Sequence, residues 1–147
     1  MAAQPSVLGA HLLFEHEGAV LLGKRAPDAV FSPDTWHLPA GHVEAESARA
    51  CAVREAAEEL ALELREEDLH LVHVVDLLEP RDGRPRAQLF FRVTSWKGEP
   101  VNNEPDKCTA LEWFPRAQLP QQLVDYTRQA LGHIHAGSPY SQQGWTA

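Results

Sequence analysis

Three glutamates, Glu55, Glu58 and Glu59, stand close together in a run dense in strong helix formers, ARACAVREAAEELALEL. On a wheel at about 100° per residue, with Glu55 at zero, Glu58 falls near -60° and Glu59 near +40°. Three carboxylates then share one helix face, and carboxylate oxygens are what Mg²⁺ or another hard divalent cation takes. Acids three and four residues apart also repel each other, so an uncompensated cluster costs stability. Arg54 can reach Glu58 at i, i+4 and help fix its orientation. Ala48, Cys51 and Ala52 lie beside the acids and are small enough to leave a ligand room. Val53, Ala57, Leu60 and Leu64 gather at roughly 140° to 200° and form the stripe expected to bury against a sheet. REAAEEL is also an ordinary composition for a solvated helix, so the segments around it carry the decision.

Strands and loops must position that helix. Val7 to Phe14 is β-prone, Glu15 to Gly18 makes a polar turn, and Ala19 to Lys24 resumes an apolar run, which reads as a hairpin. The turn-rich loop APDAVFSPDTW leads into HLPAGHVEAES, and Ser47 is a plausible helix N-cap. LHLVHVVDLLE and RAQLFFRVTSW predict an antiparallel pair across a Pro- and Gly-bearing loop. A short strand at ALEWF follows, then an amphipathic helix over Leu123 to Ala136 with Gly137 as its stop. The closing SPYSQQGW has no assigned element beyond a packing role for Tyr140 and Trp145. The pattern predicts an α/β fold as one domain over 1–147, with helices covering a sheet.

Composition narrows the function. A net charge of -8 disfavours a long phosphate backbone as partner, because that affinity comes from Lys and Arg displacing counterions. A small phosphorylated ligand stays open, since a divalent cation bridges carboxylates to phosphate oxygens. No apolar run suggests a membrane span or a signal peptide, so the expected compartment is the cytoplasm. Cys51 and Cys108 lie apart, outside any CxxC spacing, and read as reduced thiols. His133 and His135 would point to different sides of a helix, and His37 and His42 are set aside as catalytic bases. The sequence has no GxxxxGK[ST], GxGxxG or GxSxG pattern, which removes the common phosphate-loop and serine-hydrolase readings.

WHLPAGHVEAESARACAVREAAEELAL resembles the Nudix box of the MutT-like Nudix hydrolases. Glu46, seven residues, Arg54, Glu55, two residues, Glu58 and Glu59 follow the signature in full. Three departures stand beside it: one residue fewer before Glu46, Ala40 in place of the first glycine of a pair, and Ala61 in place of a late glycine. The LLGKRA strand and the LEWFPRAQLP segment also sit where the family has similar ones, so the likeness runs from about Val7 to Ala136.

The resemblance implies a Nudix-like α/β/α sandwich with a mixed central sheet and helices on both faces. It implies a Mg²⁺-dependent hydrolase, with Mn²⁺ as a substitute, that cleaves a diphosphate bond in a nucleoside diphosphate-linked or nucleoside triphosphate small molecule. Glu55, Glu58 and Glu59 would be metal ligands and catalytic residues, with a backbone carbonyl near Ala40 or Gly41 as a further ligand and Glu104 completing the site from its loop. Lys24 and Arg25 would neutralise phosphate charge, Trp36 or Phe31 would stack on a base, Glu46 would lie at the substrate side, and Arg54 would be structural. The shortened loop motivates an alternative, a catalytically impaired module that binds a nucleotide or a protein partner. An isomerase on the same fold is a remoter third reading. A homodimer is the common assembly for a small enzyme of this kind.

Overall fold

The computed structural model describes residues 2–145, and its strands divide between two sheets. In chain order, β1 (Val7–Leu13), β2 (Glu15–His16), β3 (Ala19–Arg25), β4 (Trp36–His37) and β5 (Ala40–His42) precede helix α1 (Ala48–Leu60). After it come β6 (Leu69–Leu78), β7 (Pro85–Val93), β8 (Cys108–Pro115), helix α2 (Asp125–His135) and β9 (Tyr140–Gln143). The larger sheet runs β5-β1-β7-β6-β9, with β1 parallel to β7, β6 parallel to β9, and the other pairs antiparallel. In the smaller sheet β3 pairs with β2, β4 and β8, all antiparallel.

Consecutive strand residues point to opposite faces, and each face meets a different helix. Ala10, Leu12 and Phe91 join the core that includes Cys51, Ala52, Ala56 and Leu60 of α1. Leu13 and Phe90 join the core that includes Ala130, Leu131 and Ile134 of α2. The architecture is therefore the expected α/β/α sandwich with a mixed central sheet. Among the described residues, no helix is long and apolar enough to cross a membrane.

The elements depart from expectation in three places. The N-terminal run is not one hairpin: β1 lies in the larger sheet, and the hairpin is β2–β3, closed by Glu17 and Gly18 with φ of 51° and 78°. Phe14, fully buried, is where the chain passes between sheets, its carbonyl accepting from the Leu21 amide at 3.2 Å. Second, α1 ends at Leu60, and its buried residues are Cys51, Ala52, Ala56 and Leu60. Leu60 and Leu64 of the expected stripe are buried, Leu64 beyond the helix end, whereas Val53 is only partly buried and Ala57 is exposed. The expected stripe favoured the larger apolar side chains, whereas close packing on β1 and β5 uses small ones. Third, the unassigned tail forms β9, and the Trp145 indole N–H donates to the Asp76 carbonyl and carboxylate, each at 3.1 Å.

Candidate active site

The buried arc of α1 changes what the glutamates are. On the same wheel Cys51, Ala52, Ala56 and Leu60 span about -40° to +140°, so Glu55 at zero and Glu59 near +40° lie inside that arc. Glu58, near -60°, sits at its solvent edge. The side chain of Glu55 is 13% exposed and that of Glu58 is 50% exposed. Ser47 starts the helix by accepting from the Ala50 N–H at 3.1 Å, as expected of an N-cap. Ala61 ends it in the left-handed region at φ 55°, a conformation glycine adopts without steric cost.

Arg54 organises the outer side. Its Nε and Nη2 donate to the two oxygens of Glu46 at 3.0 and 2.6 Å, its Nη1 donates to Glu55 at 2.9 Å and to Glu58 at 3.3 Å, and Nη2 also reaches the His42 carbonyl at 3.4 Å. The Arg54 hydrogen bonds, helped by the Glu44 amide, hold the Glu46 carboxyl down at about 2, well below the usual range. Glu46 is thereby tied into the loop before α1 and lines neither cavity described below. The shortened loop closes locally, with Val43 N–H donating to Leu8 O at 2.9 Å and Glu46 N–H to Glu44 O at 2.8 Å. Gly41 faces Glu55 so closely that a Cβ there would overlap the carboxyl. Ala40 is outside the left-handed region, so its backbone does not require the missing glycine.

The inner side is a cleft of about 560 Å³ whose lining includes Glu59, Glu104, Lys24, Arg25 and Ala40. Burial, a hydrogen bond with Glu55, and the charges of Glu55 and Glu104 push the Glu59 carboxyl up to about 9. Burial also raises Glu55, opposed by its bond to Glu59 and by Arg54. Glu104 is carried by a loop fastened to the end of α1. The amides of Val101 and Asn103 donate to the Leu60 and Glu59 carbonyls at 3.1 and 2.9 Å, and Asn103 Nδ2 donates to the Glu58 carbonyl at 3.0 Å. These bonds satisfy carbonyls that a helix end leaves open. Asn102 Oδ1 accepts from the Glu104 amide at 3.2 Å, and Lys107 Nζ lies 3.5 Å from Glu104.

Among the described residues no three or more His, Cys, Asp or Glu side chains form a ready-made metal cage. Mg²⁺ needs no such cage, because it binds through few carboxylates and keeps waters and substrate oxygens. Two partly buried carboxylates, Glu55 and Glu59, with Glu59 facing Glu104, are a donor set whose crowding a divalent cation would relieve.

Lys24, Arg25, Ala40, Glu59 and Glu104 thus meet at one cleft, whereas Gly41 lines the second cavity described below and Glu55 and Arg54 line neither. Glu58 remains on the outside with Arg54, and Trp36 packs edge-on to Phe114 at 4.8 Å, lining neither cavity. His37 is partly buried and held neutral, its pKa driven down first by desolvation and then by His11. The Asn102–Asn103 clamp went unread in the sequence, although paired asparagines before an acid are residues suited to bonding free backbone groups. Phe31 does not stack in the acidic cleft. Its ring lies over the guanidiniums of Arg81 and Arg86, at 5.0 and 5.9 Å, at a second cavity that no motif in the sequence marks.

Comparison with known proteins bears on this arrangement. The family model described as the NUDIX domain matches residues 4–133. A MutT NUDIX hydrolase from Burkholderia pseudomallei is 32% identical, with a TM-score of 0.78 over 88% of this chain and 98% of that one. A MutT protein from Methanosarcina mazei Go1 is 18% identical, with a TM-score of 0.77 over 92% of this chain and 97% of that one. A bifunctional NMN adenylyltransferase/ADP ribose pyrophosphatase from Francisella tularensis, solved with AMP and a manganese ion, is 19% identical, with a TM-score of 0.67 over 92% of this chain and 43% of that one. With the domain match spanning most of the sequence and the signature acids Glu55, Glu58 and Glu59 carried on one helix, the chain belongs to the Nudix family.

Proposed function

We propose that the protein is a Mg²⁺-dependent hydrolase of a diphosphate linkage in a nucleoside diphosphate-linked or nucleoside triphosphate small molecule, with Mn²⁺ able to substitute. The observation that carries this reading is the partly buried Glu59, beside Glu55, meeting Glu104 in a cleft that also presents Lys24 and Arg25. Glu55, Glu58 and Glu59 would hold the metal, with a backbone carbonyl at Ala40 or Gly41 and Glu104 completing the set. When bound, the metal supplies charge neutralisation and polarisation of the diphosphate oxygens.

The chain's own residues do the rest. Arg54 and Gly41 restrict Glu55 from two sides, which fixes its carboxyl before substrate arrives. Arg25 and Lys24 bind phosphate oxygens and offset their charge. Glu104 is brought to the cleft opposite Glu59 by its own loop, and Glu55 would either bind the metal or orient the attacking water. Placement of this kind accounts for much of catalysis at phosphorus.

The intact Arg54–Glu46 pair and Gly41–Glu55 contact argue against an impaired binding module, because the loop shortening is taken up before α1 begins. The test is turnover of a panel of nucleoside triphosphates, nucleotide sugars and ADP-ribose with and without Mg²⁺, beside the Glu58→Gln/Glu59→Gln variant. Hydrolysis that needs both the metal and the two acids is the expected result. Silence across the panel from folded protein, or equal turnover by the variant, contradicts the proposal.

A further inference from the structure

The second cavity, of about 270 Å³, adjoins the acidic cleft, and Arg25, His37 and Ala40 line both. In a chain of net charge -8, three guanidiniums, Arg25, Arg81 and Arg86, border it against one carboxylate, Glu79. Glu79 is paired with Arg81 at 3.1 Å. Arg86 is only 8% exposed. Its one carboxylate partner, Asp82 at 2.9 Å, lies outside the cavity lining, and its Nε has no hydrogen-bond partner among the described residues. Arg25 donates from Nε to the Phe31 carbonyl at 2.8 Å and makes no ion pair among the described residues.

A buried guanidinium with unmet donors is costly, and an anion is what relieves it. Phe31 lies against Arg81 and Arg86 on the loop side, so its ring face holds both guanidiniums at the cavity. The inner wall adds no charge: burial lowers the His11 pKa to about 4, and His11 Nε2 pairs with Gln88 Oε1 at 2.8 Å. Arginine forks fit phosphate oxygens in pairs. A neutral apolar group in this cavity would leave the unpartnered Arg86 Nε donor unmet.

We propose that the cavity receives a phosphomonoester of the substrate, separate from the scissile diphosphate, so that the favoured substrates are nucleoside diphosphate derivatives bearing an additional ribose phosphate. The inference rests on the hydrolase reading above for the position of the diphosphate, while the cavity itself can be tested without turnover. Calorimetry on the protein without metal would compare adenosine 2′,5′-bisphosphate and adenosine 3′,5′-bisphosphate with AMP, in wild type, Arg81→Met and Arg86→Met. At least one bisphosphate should bind about tenfold more tightly than AMP, and either substitution should remove most of that advantage. Arg81 is half exposed, so its variant serves even if Arg86→Met does not fold. The pairs NADPH with NADH and coenzyme A with 3′-dephospho-coenzyme A then distinguish a 2′- from a 3′-phosphate by the ratio of kcat/KM within each pair. Bisphosphates that bind no better than AMP, or an advantage that survives Arg81→Met, overturn the inference. An arginine-dependent advantage with no hydrolysis of any panel member sustains the cavity and overturns the hydrolase reading instead.

Discussion

Helices α1 and α2 cover opposite faces of one sheet, yet they bury different things. The inward arc of α2 holds Ala130, Leu131 and Ile134, with Thr127 its one polar member, bonded to His37 Nδ1 at 3.0 Å. That of α1 holds small apolar residues with two carboxylates among them, one pushed up to about 9 by burial and by its neighbours. The first helix follows the amphipathic rule only in part, and the second obeys it. Local departures from such rules tend to mark functional sites, and here the departure coincides with the signature acids. On this account α2 serves stability and α1 serves chemistry.

Substitutions in the two helices should therefore dissociate. Glu59→Gln should lower Mg²⁺-dependent kcat/KM by about 10²–10³-fold, a loss comparable to removing one charge-stabilising group from an active site. Its fold at pH 7 should persist, because Gln resembles the protonated acid it replaces; a thermal melt checks this. Ile134→Ala should do the reverse, costing about 2–3 kcal/mol in denaturant unfolding while folded protein keeps its kcat. An inactive but fully stable Ile134→Ala would break the comparison.

Arg54→Lys sharpens it further. Lysine lacks the planar fork that grips both Glu46 oxygens, so Glu55 should lose its fixed orientation and turnover should fall about 10–100-fold, with the larger change in kcat. The smallest effect belongs to the end of α1. Ala61→Gly should raise stability by about 0.5–1 kcal/mol by relieving a left-handed alanine, seen as a higher denaturation midpoint with unchanged m.

Much of this was legible in the sequence. The Glu46, Arg54, Glu55, Glu58 and Glu59 spacing marked the helix, Ser47 marked its start, and Lys24, Arg25 and Glu104 were singled out before any geometry. The wheel failed on orientation. Its apolar stripe sets Val53, Ala57, Leu60 and Leu64 inward and the acids outward; the two leucines are buried, but Val53 only partly and Ala57 not at all. Helix-on-sheet contact at β1 and β5 instead selected Cys51, Ala52 and Ala56, bringing Glu55 and Glu59 in with them. Trp36 and Glu46 were placed on the substrate side by type, but aromatic packing on Phe114 and the grip of Arg54 occupy them. The arginine cavity was illegible because Arg25 and the Arg81–Arg86 segment lie far apart in sequence and meet only through the fold.

The inward placement of Glu59 has a direct consequence for metal binding. Its folded pKa of about 9 exceeds its ordinary value of 4.5, so the proton is present at pH 7 and must leave when a cation binds. By the same sign, its contribution to the stability of the metal-free protein is full below 4.5 and is lost as pH rises through about 9. The decisive measurement is calorimetric titration with Mg²⁺ at pH 7 in two buffers of different ionisation enthalpy, for wild type and Glu59→Gln. The account predicts close to one proton released per Mg²⁺ bound by wild type, and none from the variant. Tight Mg²⁺ binding by wild type with no proton released, or equal release from both proteins, would contradict it.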